Sequence, residues 1–419
     1  MATATFEPRA AHIEKTCEKP GGEYELLLSL LKRALVGDSG VLELPGAIDW
    51  GRLLDLASRH EVVLLLNAGL RNATGVPEPV RWWFESYCRG AIAHNLALDS
   101  ELTGLLTRFK NEGIQVVPFK GPVWAKLLYG SVACRQMTDL DLFISLPDLP
   151  KASRIAAERG YVRSEADAQP PKGAKDVTYV HTQTKIRLEL HWSACEAWRD
   201  RRLSDLQLWK VEDTVRMDEQ AALPRPEEMF FLLAIHGFRH NWESLKWLCD
   251  IAAFLMVFPD ADWERLLRRA ACVSRMRLVL LPLALVSRVF GIELPKRVSR
   301  AIADNPSVVR IAGRIEKLYP LQFAPGWWQA APQRIHFEWL QVQIRDGAFE
   351  RIWMHVRFLT RLLKPNRNDF SYFDRKLPQP VYWFARPYRL LRRYGLRKFR
   401  QFARQLILRS GPSDTALSE

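Results

Sequence analysis

Two carboxylates inside an apolar run constrain this chain more than any other feature. Residues 138–144 read TDLDLFI, so Asp139 and Asp141 alternate with large apolar side chains. Because side chains alternate along a strand with period two, both carboxylates are expected on one face. Two like charges at that spacing raise each other's pKa unless a cation lies between them. The pair therefore predicts a site for two divalent cations, as in phosphoryl-transfer enzymes. An edge strand that shows two acids to water is the alternative.

A strand and a glycine turn precede the acidic pair. Residues 114–119 read IQVVPF and lead into Lys120-Gly121-Pro122, after which the pattern becomes helical. A glycine at such a turn lets backbone N–H groups approach a phosphate at the helix N-terminus. Pro122 has no N–H to donate. We therefore expect Lys120 and Arg135 to supply the missing contact through side-chain charge.

A third carboxylate lies in a predicted hairpin. Residues 177–181 and 185–192 both alternate, and a TQT turn separates them. The second strand places Arg187, Glu189 and His191 on one face and its aliphatic side chains on the other. Since the aliphatic face is suited to a core, Glu189 and His191 are expected on the side that forms the site.

Together these motifs resemble the DNA polymerase β-type nucleotidyltransferase superfamily. More closely, they resemble an uncharacterised bacterial nucleotidyltransferase family that has KG where the superfamily usually has GS. That family also has a helical H-G-x-x-H-x-W-x-x-L-x-W-L-x-D-I segment, matched here by residues 236–251. A closing R-P-x-R-L-L-x-x-Y-G is matched by residues 386–395. The resemblance spans residues 23–395.

The resemblance implies an α+β fold in which a polymerase β-like core, a small mixed sheet with helices, is flanked by N- and C-terminal helical regions. It implies transfer of an NMP from an NTP, ATP or CTP, to a hydroxyl or phosphate acceptor with release of pyrophosphate. Two Mg²⁺ ions are expected, with Mn²⁺ as the substitute. The implied site residues are Asp139, Asp141 and Glu189 for catalysis and metal binding, and Lys120, Gly121 and Arg135 for the nucleotide.

Two functional questions stay open in the sequence. Pro122 and the long gap between the glycine turn and Asp139 also fit a non-catalytic nucleotide-binding or scaffold protein that keeps this fold. The acceptor is not specified by any motif. We expect a small molecule, a sugar or a peptide rather than a nucleic acid.

A histidine pair in the helical region has the spacing of a metal site. His236 and His240 are four residues apart, which places both on one face of a helix. No glutamate lies between them as in zinc proteases. We therefore favour a structural pair, with hydrogen bonds to Asp250 or to the back of the core, over a metal site.

Patterns along the chain predict five regions. They are a loose leader (1–22), an N-terminal helical region (23–110), the nucleotidyltransferase core (111–218), a helical domain (219–395) and a basic amphipathic tail (396–419). The six cysteines are scattered without C-x-x-C spacing, which is typical of reduced thiols. With no visible secretory signal and no apolar run of about 18–20 residues, a cytoplasmic location is expected.

Positive charge is concentrated near the C-terminus. The net charge of the chain is +14, and eleven Lys or Arg residues lie between Arg375 and Arg409, a stretch without any Asp or Glu. Residues 393–406 would form a helix with a cationic face and an apolar one. Three interpretations stay open: a terminal helix packed on the body, a peripheral contact with an anionic membrane, and a nucleic-acid-binding arm.

Overall fold

A computed structural model describes residues 22–164, 173–196, 200–206, 214–216, 222–320 and 340–363. The chain forms two compact units, Met1–Pro325 and Gly326–Glu419. The predicted basic tail and nearly all of the predicted leader lie outside the described residues. The five-region division therefore stays a prediction.

Helices dominate the part of the first unit that precedes the sheet. They are α1 (Glu23–Leu35), α2 (Trp50–Arg59), α3 (Val63–Gly69) and α4 (Glu78–Asn111), with a short parallel strand pair, β1 (Leu42–Glu43) and β2 (Ala73–Thr74). Asp49 caps α2 by accepting a hydrogen bond from the backbone N–H of Arg52 at 2.9 Å.

A five-stranded mixed sheet forms the centre of the first unit. Its strands are β3 (Val116–Phe119), β4 (Asp139–Ile144), β5 (Tyr161–Arg163), β6 (Asp176–His181) and β7 (Arg187–His191). Their spatial order is β3-β4-β7-β6-β5, and only the β4–β7 pair is parallel. Helix α5 (Gly121–Tyr129) connects β3 to β4, and α6 (Leu149–Glu158) connects β4 to β5. The antiparallel β6–β7 pair is the predicted hairpin.

One face of this sheet is a hydrophobic core. The alternate residues Leu140 and Leu142 of β4 and Leu188 and Leu190 of β7 are at most 1% exposed. They pack with the apolar side of α4, including Phe109, and with α6. Burial of a leucine side chain contributes about 1.5–3 kcal/mol. Because residues alternate along a strand, this core turns the carboxylates of β4 and β7 to the opposite face.

The remaining elements of the first unit are mainly helical. They are α7 (Arg201–Ser204), the antiparallel strands β8 (Thr214–Arg216) and β9 (Ala222–Pro224), α8 (Pro226–Arg239), α9 (Leu245–Val257), α10 (Trp263–Cys272), α11 (Met276–Phe290), α12 (Lys296–Ala303) and α13 (Pro306–Glu316). In the second unit, α14 (Ala348–Leu363) is described. Among the described helices, none combines the length and the hydropathy of a membrane-spanning segment.

With a small mixed sheet and helices on both sides of it in the sequence, the structure is of the expected α+β class.

Candidate active site

Strand register brings the three predicted carboxylates to one face of the sheet. In the parallel β4–β7 pair, Asp141 lies directly opposite Glu189, and Asp139 lies opposite Arg187. Residues paired in this way point to the same side of a sheet. The two strands are separated by more than forty residues of sequence, so their convergence is produced by the fold.

Asp141 is buried, and each of its oxygens faces a nitrogen. Its Oδ1 lies 2.8 Å from His191 Nε2 and its Oδ2 lies 3.5 Å from Lys120 Nζ. Its side chain is 6% exposed. Burial on its own raises the pKa of a carboxyl group, but the Lys120 ammonium and the His191 hydrogen bond hold the pKa of Asp141 well below its ordinary value. Asp141 is therefore ionised in the folded protein.

His191 connects the two paired carboxylates. Its Nε2 also lies 3.4 Å from Glu189 Oε2, and its Nδ1 lies 3.3 Å from Asp176 Oδ2. Burial tends to raise the pKa of Glu189, but hydrogen bonding to His191 holds it below its ordinary value. Single ligand atoms of Asp141, Glu189 and His191 all lie within 4.8 Å of one another. This cluster has the donors and the spacing of a metal site.

Asp139 is in a different electrostatic state from its neighbour. Burial and the negative charge of Asp141 raise its pKa, and the nearby Lys120 opposes this shift only in part. The repulsion between the two acids that the sequence predicts thus contributes to the raised pKa of Asp139. The charge of Asp141 is instead offset by Lys120 and by the hydrogen bond from His191. Asp139 is the acid that an additional cation would stabilise most.

The Lys120-Gly121 turn has an unusual backbone. Both residues have positive φ angles, +60° at Lys120 and +57° at Gly121. This region costs little at glycine but is strained at a residue with a Cβ. The turn starts α5, whose first N–H groups have no intrahelical partner. It also aims the Lys120 side chain at Asp141, with Nζ 4.3 Å from the centre of the Phe119 ring.

Comparison with known proteins agrees with this geometry. The model of a family described as uncharacterised nucleotidyltransferases matches residues 46–291. The chain belongs to this nucleotidyltransferase family. The matched region runs from before α2 to the end of α11, so it includes the glycine turn and both carboxylate-bearing strands. No curated protein and no solved structure matches the chain. The resemblance to this family is confirmed over residues 46–291, and nucleotidyl transfer is the general function of the chain. The closing motif at residues 386–395 lies outside both the match and the described residues.

Arg135 of this nucleotidyltransferase is engaged in a buried ion pair. Its Nε and Nη2 each donate to an oxygen of Asp250 on α9 at 2.9 Å. Tyr129 of α5 donates to the same carboxylate at 2.8 Å. Asn95 of α4 holds the Arg135 backbone by donating to its carbonyl oxygen at 2.8 Å. These bonds hold the segment that leads into β4 against α9. The contact of Arg135 with a nucleotide stays a prediction.

The histidine pair on α8 packs against a tryptophan of α9. Asp250 accepts from Arg135 and Tyr129, whereas His236 Nε2 accepts from Trp247 Nε1 at 3.1 Å. The described hydrogen bond of His236 is therefore to Trp247, and not to Asp250, which was one of the two partners expected for a structural pair. His240 stacks on the Trp247 ring with centroids 4.7 Å apart. The pair is packed into the contact between α8 and α9.

Three side chains near the acids were not assigned a role from the sequence, namely His191, Lys175 and Arg239. His191 was placed on the correct face but was not recognised as a candidate metal ligand, although its spacing from Glu189 carried that signal. Lys175 Nζ lies 3.5 Å from His191 Nδ1 and forms an ion pair with Asp176. Burial, together with the positive charge of Arg239, lowers the pKa of Lys175 to about 7. Nothing in the local sequence around Lys175 or Arg239 indicates these positions.

Proposed function

We propose that this chain is a divalent-metal-dependent enzyme that transfers an NMP from an NTP to an acceptor oxygen and releases pyrophosphate. The observation that carries the proposal is the in-register pair of Asp141 and Glu189, with Asp139 on the same face. The strand–Lys-Gly–helix turn lies at the same edge, since Phe119 pairs with Asp141 across β3 and β4. A carboxylate cluster next to a phosphate-binding turn is the arrangement that NMP transfer requires.

The donor set fits a divalent ion. Carboxylate oxygens are the ligands that Mg²⁺ and Mn²⁺ prefer, and an imidazole nitrogen suits Mn²⁺ better than Mg²⁺. Asp141, Glu189 and His191 supply two carboxylates and one imidazole within 4.8 Å. Burial, and then the negative charge of Asp141, raise the pKa of Asp139, so a cation bound at this face would favour its ionised form. A bound ion would polarise the α-phosphate and the acceptor oxygen.

The residues of the chain would divide the reaction between them. The acceptor oxygen attacks the α-phosphorus, the bond from that phosphorus to the bridging oxygen breaks, and its electron pair leaves with pyrophosphate. Glu189 takes the proton of a hydroxyl acceptor. Gly121 and Lys120 hold the triphosphate through backbone N–H and ammonium groups. Asp139 and Asp141 would hold the divalent cation that offsets the charge of the α-phosphate.

One observation favours a second candidate, a nucleotide-binding protein without catalysis. Both oxygens of Asp141 already face nitrogens, Lys120 Nζ and His191 Nε2. Pro122 also removes one N–H from the phosphate turn. If these contacts persist with nucleotide bound, the chain binds an NTP without an ion at Asp141. Binding that is independent of Mg²⁺ would identify this candidate.

Label transfer tests the catalytic proposal. The full chain is incubated with Mg²⁺, a small-molecule extract as a source of acceptors, and ATP or CTP labelled at the α-phosphate. We expect label in a new compound and pyrophosphate in equal amount. Asp139→Ala and Asp141→Ala should each abolish both products without loss of the fold.

An exposed acid supplies the matched control for these variants. Asp260 follows α9 in an exposed turn, so Asp260→Ala should keep full activity. Circular dichroism and thermal unfolding establish that each variant is folded. Full activity of Asp139→Ala or Asp141→Ala would contradict the proposal.

A further inference from the structure

The two oxygens of Asp141 face different groups, and this asymmetry bears on how many ions the site holds. In two-metal sites a shared carboxylate contacts two ions about 3.5–4 Å apart. Here Oδ1 lies on the side of His191 and Glu189, the cluster with metal-ligand spacing. Oδ2 lies on the side of Lys120, with its ammonium 3.5 Å away. One side of the Asp141 carboxylate therefore faces side chains that could bind a metal ion, and the other side faces the Lys120 ammonium.

Lys120 is held in this position by its surroundings. Its side chain is 10% exposed, so its charge has little contact with water. Its φ angle of +60° is imposed by the turn between β3 and α5 and sends the side chain across Phe119 towards the acids. Burial lowers the pKa of Lys120, and the negative charges of Asp141 and then Asp139 oppose this shift by favouring the ammonium form. Such backbone strain at a charged residue is typical of a functional position.

We propose that Lys120 takes the place of one of the two divalent ions, so that the site binds a single ion on the side of Asp141, Glu189 and His191. This inference rests on the proposed function and replaces the expectation of two ions. The ammonium supplies a fixed positive charge on the side of the phosphate turn. It also makes up for Pro122, because a side-chain cation contacts phosphate where a backbone N–H is missing.

The ion count is measured with Mn²⁺ as the probe. Equilibrium dialysis of the full chain gives the number of Mn²⁺ ions bound, without nucleotide and with the α,β-methylene analogues of ATP and CTP. Electron paramagnetic resonance of the same samples separates an isolated ion from a spin-coupled pair. We expect an isolated Mn²⁺ in the wild-type protein under both conditions. A spin-coupled pair in the wild-type protein would overturn the proposal.

Variants of two lysines assign the effect to Lys120. Lys120→Met removes the charge and keeps most of the side-chain volume, so this variant should bind a second Mn²⁺ and show the coupled signal. Lys126, on α5 but 50% exposed and paired with Asp99, is the matched control, and Lys126→Met should resemble the wild type. A folded Lys120→Met protein that still binds one ion would show that Lys120 does not limit the number.

Failure of the proposed function gives a different result. If the wild-type chain binds no Mn²⁺, or binds it equally well after Asp141→Asn and Glu189→Gln, the carboxylate cluster is not the metal site. The inference about Lys120 then falls together with the proposed function. Two coupled ions that depend on Asp141 would instead overturn the inference alone.

Discussion

Removal of Asp250 should destabilise this protein more than removal of an exposed ion-pair partner. The carboxylate of Asp250 accepts both guanidinium bonds of Arg135 and the hydroxyl of Tyr129. The Arg135 and Asp250 side chains are 7% and 2% exposed. Asp250→Asn keeps the shape of the side chain but leaves the guanidinium charge buried without an opposite charge.

The size of the effect follows from this burial. Removal of one member of a buried pair costs about 3–5 kcal/mol of the free energy of unfolding, because the remaining charge is neither paired nor hydrated. Arg135→Met should cost a similar amount. When both members are replaced, in Arg135→Met/Asp250→Asn, no charge is left buried, and the loss should be smaller than that of either single variant.

Urea unfolding followed by tryptophan fluorescence measures all three variants. Glu158→Gln is the control, since Glu158 is 48% exposed and pairs with Arg108 at 2.7 Å. Exposed pairs contribute about 0–1 kcal/mol. Added salt should reduce the effect of Glu158→Gln and leave that of Asp250→Asn nearly unchanged.

The reasoning would be refuted by additive losses. If the double variant loses the sum of the two single losses, Arg135 and Asp250 stabilise the fold independently. A loss below about 1 kcal/mol for Asp250→Asn would place the pair in the range of exposed ion pairs. The pair would then not be what holds the segment before β4 against α9.

Three further predictions concern other parts of the chain. Burial and a neighbouring carboxylate raise the pKa of Glu243 to about 7, so the folded state keeps a proton that the unfolded state releases near pH 4.3, and stability falls as pH rises between these values. In urea unfolding, the stability difference between Glu243→Gln and wild type should therefore grow from pH 5 to pH 8. A constant difference would contradict this. At Gly237 an added Cβ would overlap the Trp242 ring, so Gly237→Ala should lower the free energy of unfolding by about 1–3 kcal/mol. Gly90 has open space around it, so Gly90→Ala should be neutral or stabilising, and equal effects of the two substitutions would count against the overlap. If the basic tail contacts an anionic membrane, the chain should float with anionic vesicles at low salt, lose binding at high salt and lose it on truncation after Gly395, whereas binding to neutral vesicles would exclude this electrostatic contact.

Local patterns were sufficient to predict the elements that carry the acids. Alternation in residues 138–144 predicted β4 and the shared face of Asp139 and Asp141. Alternation in residues 177–192 predicted the β6–β7 hairpin and the face of Glu189. These predictions succeeded because a strand's periodicity is set by the backbone, independently of the rest of the fold.

Contacts between distant segments could not be predicted from local patterns. The bond between Asp141 and His191 depends on the parallel β4–β7 register, which no single segment encodes. Arg135 and Asp250 are 115 residues apart in the chain, so no local pattern indicates their buried ion pair. Lys175 follows a stretch rich in proline and charge that predicts only a loop, and its burial beside His191 is a product of tertiary packing.

Dependence of nucleotide binding on Mg²⁺ is the direct test of a metal site at Asp141 and Glu189. Isothermal titration of ATP and CTP into the full chain is carried out with Mg²⁺ and with EDTA, for the wild type, Asp141→Asn and Glu189→Gln. We expect EDTA and each substitution to weaken the binding by about tenfold or more, which is about 1.4 kcal/mol. Equal affinity with and without Mg²⁺, unchanged in both variants, would contradict a metal-dependent site at Asp141 and Glu189.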